Sequence, residues 1–247
     1  MITNRILEVC ANSVGSAVHA ALAGADRIEL CQNLNEGGTT PSAATIKYCT
    51  EKLPLRTFVL IRPRAGNFHY RDAEYEIMKE DVRICKEYGA EGIVTGFLRE
   101  DYSVDTVKIA EIVALAAPME VTFHRAFDIC NDPETALEEI ISCGCKRILT
   151  SGMSPTALEG REALRRLKDL AGNRISLIAA AGITKTNIKE IALFTGLTEF
   201  HASGKKLCKD PSFIENKNYL DPSNEQFRET DIEEIRAILH KLKNEYR

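Results

Sequence analysis

Residues 119–128 read MEVTFHRAFD. Side chains alternate along an extended strand, so Val121 and Phe123 share one face while Glu120, Thr122 and His124 share the other. Arg125 and Asp128 follow where the strand should give way to a loop. If both faces are covered, Glu120 and His124 point into a protein interior, where an unpaired charge is costly. Their partners must come from other strands, and the stretch therefore predicts a fold with several strands of the same kind.

Working outward, short β-type runs alternate with longer amphipathic ones, the pattern of βα units around a parallel sheet. Strands are expected at 6–10, 27–31, 58–61, 92–95, 120–124, 147–150, 176–179 and 199–202. Ser13, Ser42, Asp105 and Asp132 are placed to cap the helices that follow, and Gly24, Gly89 and Gly144 to end them. Helices are expected at about 13–23, 42–52, 73–88, 105–116, 133–142, 155–170 and 186–194, with a last one at about 229–244. Eight strands with intervening helices predict a closed (β/α)8 TIM barrel, which uses about 250 residues as a single domain. An open doubly wound sheet would carry a glycine-rich nucleotide fingerprint after its first strand, and the sequence there is CANSVGSA. The segment 205–228 lacks periodicity and reads as an irregular stretch before the C-terminal helix.

Composition narrows the class. The chain has 247 residues, 44% of them apolar, and a formal net charge of −4. That charge provides no field for nucleic acid or an anionic membrane. No apolar run approaches the ~20 residues of a membrane span, and MITNRILEVC passes directly into a strand, so a chain without an export signal is expected. The 8 cysteines form no CxxC pair or zinc-type spacing. Reduced thiols in the cytoplasm are expected.

The inward faces of the strands carry chemistry. Glu8 with Cys10, Glu29 with Cys31, Glu120 with His124, and Glu199 with His201 and Ser203 share faces by alternation, and Arg62 and Arg64 fall in line with Phe58 and Leu60. Barrel interiors are usually layers of Val, Ile and Leu, and active sites of this fold lie at the C-terminal strand ends. These groups allow an enzyme site acting on a small anionic, phosphorylated or carboxylated substrate: Arg62, Arg64 and Arg125 would hold charge, and Glu8, Glu29, His124 and His201 would move protons. Gly182 after strand 7 and Ser203, Gly204 and Lys205 after strand 8 offer backbone donors where barrels often bind phosphate, with Ser151 and Gly152 extending the cradle. The alternative for the ring is a structural network of ion pairs, with Glu120, low on its strand, belonging to that network.

The motifs LEVC, GADRIELC, EGGTTPS, IRPR, VTFHRAFD, ILTSG, GIT and EFHAS occur in order at strand ends. In this the chain resembles the CutC family of copper-homeostasis proteins. The resemblance implies a cytoplasmic (β/α)8 barrel that binds Cu(I), assembles as a dimer or tetramer, and uses Cys10 and Cys31 as metal ligands. It calls for no organic cofactor. Cu(I) is soft and prefers thiolate, and strands about 4.8 Å apart let both sulfurs reach one ion. Alternatively, both are buried core thiols. The loop after strand 7 departs from the glycine-rich form of the family, with Ala179, Ala180 and Ala181 before Gly182.

Overall fold

A computed structural model describes residues 5–209 and 226–243. Eight parallel strands close into a barrel in sequential order: β1 (Ile6–Ala11), β2 (Arg27–Leu30), β3 (Arg56–Leu60), β4 (Gly92–Thr95), β5 (Glu120–Phe123), β6 (Arg147–Thr150), β7 (Ser176–Ala179) and β8 (Glu199–Ala202). The return pairing of β8 on β1, with His201 beside Glu8, closes the ring. Helices α1 (Val14–Ala23), α2 (Ala43–Lys52), α3 (Asp72–Glu87), α4 (Thr106–Ala116), α5 (Pro133–Ser142), α6 (Arg161–Ala171) and α7 (Ile188–Thr195) alternate with the strands, and α8 (Ile232–Lys243) follows the last.

Local chemistry sets the helix ends. Ser13, Ser42, Asp105 and Asp132 each accept a backbone N–H of the first turn, which is worth roughly 1 kcal/mol per cap. Gly24 ends α1 in the left-handed region at φ 86°, where a glycine has no Cβ to strain. The outward strand faces, including Leu7, Val9, Ile28, Leu30, Val59 and Ile93, join buried helix residues such as Met78, Ile109 and Leu164 in one apolar layer. The interior of the barrel is therefore left to the other face of each strand.

Three expectations are corrected. The segment 205–228 is not wholly irregular: β9 (Lys205–Lys209) and β10 (Gln226–Thr230) pair antiparallel, Thr230 opposite Lys205. Residues 210–225, in the same segment, lie outside the described residues. Because β10 takes Glu229 and Thr230, α8 begins at Ile232. The helix expected from 155 begins instead at Arg161, since Gly160 lies so close to the Ser151–Gly152 backbone that even one Cβ would overlap it, and that contact holds 155–160 in turns.

Candidate metal centre and its cavity

Strand register sorts the inward polar groups into two tiers. β1 and β2 both carry Glu-x-Cys, but Glu8 lies beside Arg27 whereas Cys10 lies beside Glu29, so Glu29 stands one layer above Glu8. The lower tier is a floor of ion pairs. Arg27 Nε meets Glu8 Oε2 at 2.5 Å and its NH2 meets Glu199 at 2.6 Å. Arg147 joins Glu199 at 3.2 Å to Glu120 at 2.8 Å, and Arg56 reaches Glu120 at 3.1 Å. The ring of Phe58 lies among the guanidinium groups of Arg27, Arg56 and Arg147, 5.2–5.5 Å from each, within cation–π range.

The upper tier holds the candidate metal ligands. Cys10 Sγ and Cys31 Sγ are 3.8 Å apart, and donor atoms of Cys10, Glu29 and His201 all lie within 4.8 Å of one another. Ligands bound about 2.0–2.3 Å from a common ion stand about 3.3–4 Å apart, so this corner fits a metal after small adjustments. Glu8 Oε1 holds His201 Nδ1 at 2.8 Å and leaves Nε2 toward Glu29, 3.5 Å away. A carboxylate on the far nitrogen is the usual way a ligating imidazole is oriented.

The titration behaviour follows from burial and neighbours. Burial opposes the Glu8 carboxylate, but Arg27 and His201 outweigh it and hold its pKa down at about 2. Burial raises the pKa of Glu29 against the pull of His201. Burial works against the His201 imidazolium, yet hydrogen bonds to Cys10 and Glu8 and the charge of Glu29 raise its pKa well above the ordinary value. The hydrogen bond shared with Cys31, then burial, lift the Cys10 thiol well above its usual range.

This corner opens into a cavity of about 790 Å³ at the C-terminal end of the barrel, whose walls include Arg62, Phe68, His124, Arg125, Gly182, Ser203, Gly204 and Lys205. Arg62 gives its NH1 to the carbonyls of Glu36 and Gly38 and its NH2 to that of Gly66, tying the loops after β2 and β3 together. Arg125 lies at the wall with its Nε on Asp128 at 2.7 Å and its NH2 on Ser151 Oγ at 3.0 Å. Gly182 and Gly204 adopt φ of +71° and +50°, and Ala181, at φ +75°, occupies a conformation that disfavours a Cβ.

Other sequence candidates lie elsewhere. Arg64 turns outward to Glu74 at 2.5 Å and to the carbonyls of Asn67 and His69, because β3 ends at Leu60 and Pro63 breaks its alternation. Ser151 and Gly152 are off the cavity wall. Their amides are already taken, Ser151 N by Asp128 at 3.0 Å and Gly152 N by Thr150 Oγ1 at 2.9 Å. Asp128 serves the loop after β6 as a built-in anion. Sequence reasoning missed Arg27 and Arg147, although each lies two residues before an inward position, and missed Phe68, which stacks near His124 from inside the RPRAGNFHYRD loop with ring centroids 4.6 Å apart.

The model of the CutC family matches residues 5–206. A copper homeostasis protein CutC homolog from Homo sapiens is 41% identical over 97% of this chain and 89% of its own length. A family protein CutC from Chromobacterium violaceum is 44% identical over 82% of each chain. A crystal structure of a protein carrying the CutC name from Streptococcus agalactiae superposes with a TM-score of 0.77 at 32% identity, covering 81% of this chain and 98% of that one.

Proposed function

The chain belongs to the CutC family, and from that premise we propose that it binds Cu(I) in the cytoplasm through Cys10 and Cys31, with His201 as a third donor. The 3.8 Å separation of the two sulfurs carries the reading. Two thiolates and one imidazole form a soft set that suits Cu(I), whereas Cys10, Glu29 and His201 alone would suit a harder divalent ion. Cys31 is the residue that distinguishes the two. Glu29 then balances charge beside His201, and Glu8 orients the imidazole from below.

In support of entry from one side, the ion-paired floor beneath Glu8 closes the lower end, so an ion reaches the sulfurs through the mouth. Dimeric or tetrameric assembly belongs to the same reading; Leu207 and Phe227, exposed on the β9–β10 ribbon, offer apolar surface to a second copy. The test is competition for Cu(I) against a chromogenic chelator with wild type, Cys10→Ser and Cys31→Ser. Each substitution should lower affinity by more than about 100-fold, since outer-shell partners alone are worth about 10–100-fold. Wild-type affinity in Cys31→Ser would remove Cu(I) from this pair.

A further inference from the structure

The cavity is far larger than an ion requires. Its volume of about 790 Å³ compares with about 30 Å³ for one water in the liquid, and falls in the range of organic-ligand sites. Besides the sulfurs, its wall holds two buried polar groups with unmet needs. Arg62 is only 5% exposed, and its guanidinium donates to three neutral carbonyls. No carboxylate among the described residues pairs with it, and its Nε has no acceptor. Burial lifts the neighbouring Tyr70 phenol to about 12, so that group stays neutral and leaves the Arg62 charge standing. A buried cation without a counter-charge is expensive.

His124 is the second group, also 5% exposed. Its Nδ1 accepts the Ala126 N–H at 3.2 Å, which fixes the proton on Nε2. That N–H has no acceptor among the described residues. Burial, reinforced by the charge of Arg62, holds the imidazole neutral, with a pKa near 3. His124 is thus a fixed neutral donor, joined to Arg62 through the ring of Phe68, which contacts both.

We propose that this wall binds a small organic anion, a carboxylate or phosphate that also carries a carbonyl or hydroxyl oxygen, with Arg62 supplying the counter-charge and His124 Nε2–H donating to an oxygen. The site shares a cavity with the sulfurs but uses none of them. Lys205 also stands at this cavity, whereas Arg125 there is already paired with Asp128.

Isothermal titration of the metal-free full-length chain tests this with four probes: L-malate, dihydroxyacetone phosphate, its uncharged analogue dihydroxyacetone, and inorganic phosphate. Saturable binding is expected for malate or dihydroxyacetone phosphate, and which of them binds tells carboxylate from phosphate. Dihydroxyacetone and inorganic phosphate should each bind at least ~10-fold more weakly than the favoured anion, because each lacks one of the two contacts. His124→Asn keeps an acceptor for Ala126 N–H but deletes the Nε2 donor, and should weaken the favoured anion by ~10-fold or more. His124→Gln, whose amide reaches farther, should recover part of the loss. Cu(I) affinity should be unchanged in His124→Asn, and anion binding unchanged in the Cys10→Ser/Cys31→Ser double variant, so the two readings fail separately. Absence of binding by both organic anions at millimolar concentration, equal binding of dihydroxyacetone, or unaltered binding in a folded His124→Asn would each overturn the proposal. The comparison with dihydroxyacetone decides the matter without any variant.

Discussion

Replacing Arg27 by methionine tests whether the lower tier is a floor or part of the site. Arg27 is 1% exposed and pairs with both Glu8 and Glu199. Methionine fills much of its volume without the charge, leaving two buried carboxylates. Removing one partner of a buried ion pair costs about 3–5 kcal/mol, because the remaining charge is left uncompensated. The lower end applies here, since Glu199 keeps Arg147 at 3.2 Å and Glu8 keeps His201 at 2.8 Å. For a chain of this size 1 kcal/mol moves the melting temperature by about 2–4 °C, so a loss of about 3 kcal/mol corresponds to about 6–12 °C. Differential scanning calorimetry at neutral pH measures it, with Arg27→Lys as the control that keeps the charge but not the bidentate fork and should fall in between. A drop of less than about 2 °C in Arg27→Met would show that these carboxylates do not depend on Arg27, and the account of the floor would be wrong.

Two further outcomes are expected. An unfolded histidine takes up a proton below about pH 6.5, whereas folded His124 does so only near pH 3; between those values the unfolded state holds the extra proton, so acidification destabilises the fold by up to about 1.4 kcal/mol per pH unit from this residue. The melting temperature of His124→Asn should therefore fall less steeply from pH 6.5 toward pH 4 than that of wild type, and parallel profiles would contradict a buried neutral imidazole. Glu8→Gln retains the size of the side chain but removes the charge that meets His201 Nδ1 at 2.8 Å, and should lower Cu(I) affinity about 10–100-fold, as loss of an outer-shell partner does; chelator competition showing no change would detach Glu8 from the metal centre.

The strands and most helix ends were legible because their signals are local. Ser13, Ser42, Asp105 and Asp132 cap the helices expected of them, and β6, β7 and β8 begin and end where β-type runs do. The β9–β10 ribbon was not, since each strand finds its partner across residues 210–225 and neither has an apolar rhythm of its own. The late start of α6 was also hidden, because the contact of Gly160 with Gly152 folds the β6–α6 loop back on itself, which sequence spacing does not show. In the site, alternation told which face a residue takes but not how high it stands. Glu8 and Glu29 occupy the same place in the same motif, and only the stagger between β1 and β2 sends one to the floor and the other to the metal corner.

That stagger gives Glu8 a double duty. One of its oxygens faces Arg27 and the other faces His201, so the floor and the metal corner share a single carboxylate. A carboxylate held by Arg27 and already charged near pH 2 stays an anion at any physiological pH, and His201 therefore has a permanent acceptor for its Nδ1 proton. The imidazole is consequently aimed before any ion arrives. At Arg62 and His124 the logic is reversed: they are fixed by backbone carbonyls and a backbone amide, with no carboxylate among the described residues paired to either. A barrel that satisfied one wall internally and left the other unsatisfied would bind a cation at the first and an anion at the second. The two walls face one cavity, so either ligand, once bound, changes the electrostatic field met by the other.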